Sequence, residues 1–253
     1  MVEKGSLIKL YRFGGIAALI IVLIYLIEMV VVITKGIPPK TVDAIFALFQ
    51  ANRYLGLLQL FVLDIIAVFL HAPIFMALCF ALRKVDRSLI SLLFALIFAF
   101  IGMAVYFASN TVFSMLYFSD QFANAVSELQ RVQISTSAQS MMSSFIFNST
   151  GTFMAFNLYA LAGLLVSLIM LRSAEFSKLT AWSGILGNAI QFAPPLGIGP
   201  AVYFKFISPG QIAVGGIFLM VWYVLMFSDF NKIIKLENSL PFNPDNNYQR
   251  NKK

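Results

Sequence analysis

The sequence predicts an all-α polytopic integral membrane protein: a six-transmembrane-helix bundle with both termini cytoplasmic and amphipathic segments on the outer face. Three observations carry this reading. The 253 residues are 60% hydrophobic and 11% charged, with a mean hydropathy of +0.85, against roughly 45–50% apolar and 25% charged in soluble domains. The apolar residues gather in six stretches long enough to cross a hydrocarbon core of ~30 Å. With those stretches counted as crossings, thirteen of the 18 Lys and Arg fall on the side of the N-terminus and five on the other. By the positive-inside rule that side is the cytoplasm, which places the chain in the cell membrane. The formal charge of +7 therefore belongs to topology. The basic residues are not gathered on one helix and no nucleic-acid recognition motif accompanies them, so membrane lipids are the expected surroundings and nucleic acid is not.

Lys4, Lys9 and Arg12 precede an apolar run over residues 14–34. That run exceeds the ~7–15 residues of a signal-peptide core and no small-x-small cleavage site follows, so it reads as an uncleaved first span. Pro38-Pro39 follows it, and Thr41 is placed to cap a surface segment with Ile45, Phe46, Leu48 and Phe49 at helical spacing. The second span is expected over residues 55–82 and the third over 89–118, the latter long enough to tilt or project from the bilayer. Residues 119–143 are polar but space Phe122, Val126, Leu129 and Val132 for one apolar stripe, an interfacial helix. The fourth span covers 144–171; its Asn148-Ser149-Thr150 triplet matches a glycosylation acceptor, but a helix entering the membrane is a poor one.

The fifth span, 178–203, runs into Pro194-Pro195-Leu196-Gly197-Ile198-Gly199-Pro200, which cannot continue a regular helix. Ser208-Pro209 pairs a cap with a first-turn proline and opens the sixth span, 208–227. Residues 1–230 thus form the membrane domain, and 231–253 read as a basic, Asn-rich, disordered tail. The turns beginning at Leu82 and Leu171 both read L-R-x-x-acid-x-S, and in each the serine, Ser88 or Ser177, is placed to cap the next helix. A duplicated hairpin would leave this pattern, and two short turns would also converge on it.

The second span carries Asp64 and the chain's single histidine, His71, seven residues apart and so on one helix face. An acid at bilayer depth costs about 2.5–3.5 kcal/mol or more unless it faces a partner, a cavity or water. Glu28 lies in the outer half of the first span, one turn from Tyr25. The third span offers Tyr106, Asn110, Ser114 and Tyr117, the fourth Asn148, Thr152 and Tyr159, and the fifth Asn188 and Gln191. Glu28, Asp64, His71, Asn110, Asn148, Asn188 and Gln191 are accordingly the candidate lining of a polar cavity, with freed carbonyls near Pro194 and Pro195 beside it. The competing reading has Asp64 and His71 only fixing helix packing, and Arg53 reaching Glu28. Interhelical hydrogen bonds average about 0.6 kcal/mol, which compensates weakly for burying an acid.

Several chemistries are set aside by residue supply. One histidine cannot give bis-histidine haem, and Asp64 with His71 leaves a zinc site short of ligands. Apart from Lys178, the first residue of the fifth span, no lysine lies within the six spans, so a retinal Schiff base at bilayer depth is excluded; Cys79 is the single cysteine and admits no intrachain disulfide. Trp182-Ser183-Gly184 lacks the glycine two residues before the serine that an intramembrane serine protease carries. The chain is not expected to be an enzyme or to hold a cofactor or metal.

Arg12-Phe13-Gly14-Gly15 entering the first helix, Ala81-Leu82-Arg83-Lys84-Val85-Asp86-Arg87 closing the Asp64-bearing helix, and the turn at Arg172 resemble an uncharacterised family of multi-pass bacterial and archaeal membrane proteins, domain-of-unknown-function family 4386. The resemblance covers most of residues 8–230 and implies the same architecture; it brings no activity or catalytic residues. Two functions follow as expectations: a small transporter or channel-like protein moving a cation or protonatable solute, and a non-catalytic protein that binds lipid or a partner through its helix faces and outer segment.

Overall fold

The structure, a computed structural model, describes residues 4–83, 85, 89–144, 150–192 and 209–239. Ten helices occupy these residues: α1 (Lys4–Lys35), α2 (Val42–Ala51), α3 (Arg53–Gln59), α4 (Val62–Leu82), α5 (Leu89–Ser109), α6 (Val112–Ala123), α7 (Glu128–Ser144), α8 (Thr150–Met170), α9 (Lys178–Phe192) and α10 (Pro209–Ser239). Among the described residues there is no strand. Five stretches among the described residues are long and apolar enough to cross a membrane: α1, α4, Leu89–Ala123 (α5 with α6), Phe153–Met170 of α8 and Val214–Ser239 of α10. Among the described residues the protein is thus all-helical, with five candidate membrane spans. The expected fifth span is present as α9, but its 15 described residues are too few to cross, and the proline-rich segment after it lies outside the described residues.

Six helices close into a ring. α1 packs beside α4, α4 beside α5, α5 beside α8, α8 beside α9, α9 beside α10, and α10 returns to α1. Lipid offers no hydrophobic drive for helices to associate, so close backbone approach at small residues has to supply it. Gly14 is such a contact: a Cβ there would lie 2.8 Å from Ala77 Cβ and 3.2 Å from the carbonyl oxygen of Pro73, so α1 crosses α4 where no side chain intervenes.

α1 and α10 run antiparallel. Tyr11 stacks on Phe230 with ring centroids 6.0 Å apart, and Gly15 meets Phe227. The described ends of the chain therefore lie together at one end of the ring. This pairing corrects the expected tail, since α10 continues through residues 231–239. Phe230, Ile233 and Ile234 are buried in the same core as Leu7 and Tyr11, so the apolar stripe of α10 outlasts the drop in overall hydropathy.

At the opposite end, two expected spans break. The run over 55–82 divides at Leu60 and Phe61, where Phe61 takes a left-handed backbone (φ 57°, ψ 44°). The run over 89–118 divides at Asn110 and Thr111, where Asn110 Oδ1 accepts the Val112 N–H (3.1 Å). Beyond both breaks, α3 and α6 join α2 and α7 around a second core of Ile45, Phe46, Phe49, Leu60, Val112, Met115 and Ala138. The breaks turn apolar side chains out of the ring and into this cap.

The cap is tied down by polar contacts. Gly36 closes α1 with φ +86°, the left-handed geometry that favours glycine after a helix, and the buried Gln59 donates to the carbonyls of Lys35 (3.2 Å) and Gly36 (3.4 Å). Thr41 caps α2 as its position suggested, accepting from the Ala44 N–H at 3.3 Å. Ser119 Oγ donates to the Phe46 carbonyl (3.3 Å), and Arg53 pairs with Asp120. The expected stripe of residues 119–143 is divided. Phe122 packs on Phe46 inside the cap, Val126 sits between α6 and α7 and is 95% exposed, and Leu129 and Val132 point outward from α7.

Candidate functional site

α1 and α4 are antiparallel neighbours, and this brings Glu28 and Asp64 to the cap end of the ring together. Glu28 lies seven residues before the end of α1, about 10 Å along the helix, while Asp64 lies in the first turn of α4. The break at Phe61 thus moves Asp64 from about nine residues into a span to its mouth. There the unsatisfied N–H groups and positive dipole end of α4 favour a carboxylate. The two acids are within electrostatic reach of one another. Tyr25 of α1, Tyr106 of α5 and Tyr159 of α8 lie within electrostatic reach of Asp64.

The two carboxylates differ in surroundings. Glu28 is 8% exposed and its Oε1 has no hydrogen-bond partner among the described residues; the buried hydroxyl of Tyr159 has none either. Asp64 keeps partial access to the surface. Arg53 does not reach Glu28: α3 carries it outward to Asp120, so the acid pair has no neutralising cation from that source.

His71 lies about two turns further along α4, and both ring nitrogens are engaged. Nδ1 is 2.7 Å from the Ala67 carbonyl, which can only accept, so Nδ1 carries the proton; Nε2 of the neutral ring then accepts from the Tyr223 hydroxyl at 2.8 Å. Rings crowd around it. Tyr159 is centred 5.0 Å away, Tyr223 5.8 Å and Phe75 6.3 Å, and Tyr25 lies 6.4 Å from Tyr223. His71 therefore sits in an aromatic plug on the ring axis.

Asn110 reaches the seam through Tyr106, donating Nδ2–H to its hydroxyl at 3.2 Å while its Oδ1 starts α6. Ser114 and Tyr117 fall beyond the break, and Tyr117 is 60% exposed on the cap, so the expected third-span stripe ends at Asn110. Asn188 belongs to another interface. Its amide donates to the Gly184 carbonyl (2.7 Å) and lies flat on Gly163 of α8, tying α9 to its neighbour. Gln191, one turn further along α9, is half-buried. Asn148 lies outside the described residues, as do Ser88 and the prolines at 194, 195 and 200.

Sequence reasoning missed Tyr223, which comes from the last helix, and Asp229 below it. Asp229 is 2% exposed and accepts from the Ser177 N–H (3.1 Å), the Thr180 hydroxyl (2.5 Å) and Lys232 Nζ (2.9 Å). It fixes the start of α9 beside Ser177, whose Oγ accepts the Thr180 N–H at 3.0 Å as the expected cap. An acid next to a lysine three residues on was the available signal.

Among the described residues, no group of three or more His, Cys, Asp or Glu could hold a metal ion. Fold and site together define an all-helical membrane protein with an acid pair and a tyrosine-rich seam in its ring. Compared with known proteins, the chain matches no family model, no curated protein and no solved structure.

Proposed function

We propose that the protein is a small transporter or channel-like protein, and that Glu28 and Asp64 form its site for a proton or small cation entering from the cap end. The carrying observation is the placement of two carboxylates from different helices beside three tyrosines, one acid sealed with an unpartnered oxygen and the other accessible. Like charges repel strongly where water is excluded, and a proton or cation between them relieves that repulsion. Interhelical packing needs neither the second acid nor the access.

The test is flux into proteoliposomes, followed with an internal pH dye or a cation indicator, for the wild type, Asp64→Asn and Glu28→Gln. Loss of flux in both variants, with an unchanged helical spectrum, supports the assignment; equal flux in the wild type and Asp64→Asn overturns it. A second reading, attachment of lipid or a partner to the outer segment, is favoured by the outward-facing Val126, Leu129 and Val132. Its mark is a co-purifying molecule lost when Leu129 and Val132 become polar.

A further inference from the structure

His71 ends the acid-and-tyrosine seam with a nitrogen able to take a proton. It lies seven residues beyond Asp64 on α4, about 10 Å further from the cap. Nδ1 holds its proton against the Ala67 carbonyl at 2.7 Å, which leaves the lone pair of Nε2 turned to the Tyr223 hydroxyl at 2.8 Å. The imidazole is thus fixed by its own helix with its basic nitrogen facing α10.

The hydroxyl it meets connects back to the acids. Tyr25, one turn before Glu28 on α1, lies within electrostatic reach of Glu28, Asp64, Tyr159 and Tyr223. Tyr159 of α8 lies within reach of Asp64 and Tyr223, and its buried hydroxyl has no hydrogen-bond partner, so it can turn toward either. The Tyr159 ring is centred 5.0 Å from His71, and the Tyr25 ring 6.4 Å from Tyr223. Among the described residues, the titratable groups facing this path are Glu28 and Tyr25 of α1, Asp64 of α4, Tyr106 of α5, Tyr159 of α8 and Tyr223 of α10.

A phenol both donates and accepts, so a row of them passes a proton by exchanging O–H bonds while every ring stays in place. A larger solute meets the packed rings instead. On the transport reading above, on which this inference rests, we propose that the species taken up at Glu28 and Asp64 is a proton, and that it moves inward through the tyrosine hydroxyls to His71, with Tyr223 as the last donor. In this step the O–H bond of the Glu28 carboxyl breaks as its proton joins the Tyr25 oxygen; Tyr25 gives its own proton to Tyr223, and Tyr223 gives its proton to His71 Nε2. Each phenol loses one O–H bond and gains one. Glu28 ends as a carboxylate and His71 as an imidazolium, so one proton has moved and no other bond has changed.

The experiment is uptake into proteoliposomes of the full chain, with protons read by an internal pH dye and sodium and potassium by cation dyes. The wild type should pass protons. His71→Gln keeps an acceptor oxygen for the Tyr223 hydroxyl, but an amide does not carry the proton onward, so proton flux should fall about a hundredfold, the low end of what a positioned proton-transfer group contributes, with an unchanged helical spectrum. Tyr223→Phe, which removes the last donor, should lower it to the same level. Equal proton flux in the wild type and His71→Gln overturns the relay and leaves the acid pair as the transport site, as does metal-ion uptake without proton uptake. Uptake of neither kind overturns both readings. The chain's single histidine also gives one imidazole signature in ¹⁵N magnetic resonance of the wild type at neutral pH; a bare Nε2 with the proton on Nδ1 is expected, and a proton on Nε2 instead overturns the relay without recourse to any variant.

Discussion

Replacing Asp229 by alanine tests how the ring is held at its N-terminal end. The carboxylate has three donors, and they are not of equal weight. Lys232 is 61% exposed, so its ion pair contributes about 0–1 kcal/mol. Thr180 is fully buried, but its hydroxyl keeps a second partner in Ser177 Oγ at 2.7 Å, so the substitution removes one hydrogen bond of about 1 kcal/mol without stranding the group. The Ser177 N–H has no other acceptor among the described residues and begins a helix, where leaving it unpaired costs about 1–3 kcal/mol. Asp229→Ala should therefore destabilise the protein by about 2–4 kcal/mol, with Lys232→Ala within about 0.5 kcal/mol of wild type and Thr180→Val near 1 kcal/mol. Unfolding by sodium dodecyl sulfate in mixed micelles, followed by circular dichroism, gives all three values in one series. The reasoning is refuted if Asp229→Ala costs no more than Lys232→Ala, because the carboxylate would then act only as a surface charge.

Two further substitutions can be read in the same assay. Tyr223→Phe removes the donor to His71 Nε2 and leaves a buried ring nitrogen unsatisfied, for an expected loss of about 1–3 kcal/mol; wild-type stability would mean that this hydrogen bond does not form. Gly163→Ala places a methyl where the Asn188 amide lies and should cost about 1–3 kcal/mol, whereas Gly5→Ala, where nothing approaches, should be neutral or stabilise the helix by up to about 1 kcal/mol.

The apolar helices were legible because lipid imposes a simple rule on composition, and the described residues hold five stretches long and apolar enough to cross a membrane. The breaks were not legible. Leu60, Phe61, Val112 and Met115 are as apolar as the helices they adjoin, and hydropathy cannot distinguish a side chain buried in lipid from one buried in a cap of short helices. Asn110 was the local sign at the second break, accepting the backbone N–H that opens α6, and Phe61 at the first makes no side-chain cap hydrogen bond. The tail failed for the opposite reason: Ile233 and Ile234 are two apolar residues amid Asn and Lys, and only their pairing with the start of α1 buries them.

The site divides along the same line. That Asp64 needs company follows from the cost of an acid in lipid, and Glu28 and Tyr106 share the seam with it. Which residues supply that company depends on helix order around the ring, which periodicity within one helix does not encode. Asn188 shows the limit, since it has the residue type and depth of a cavity residue yet serves the α8–α9 contact. Tyr223 shows the converse. On sequence it is one of many aromatics in an apolar helix, and only the closure of α10 onto α1 brings its hydroxyl to His71.

The asymmetry along the ring axis bears on how the acid pair would work. At the cap end Asp64 is partly exposed; toward the chain ends, the rings of Tyr25, His71, Tyr159 and Tyr223 are linked through centroid separations of 5.0–6.4 Å, close enough to pack against one another. Under the proposed transport reading, a solute at Glu28 and Asp64 would meet these packed rings on its way to the other end. If the protein transports as proposed, passage of such a solute would require the plug to repack, and the helices that carry it make close contacts at Gly14 and Gly163. A ring sealed by bulky interdigitation would resist such sliding. One closed on glycine can shift without stranding a backbone hydrogen bond, because each helix keeps its own ladder.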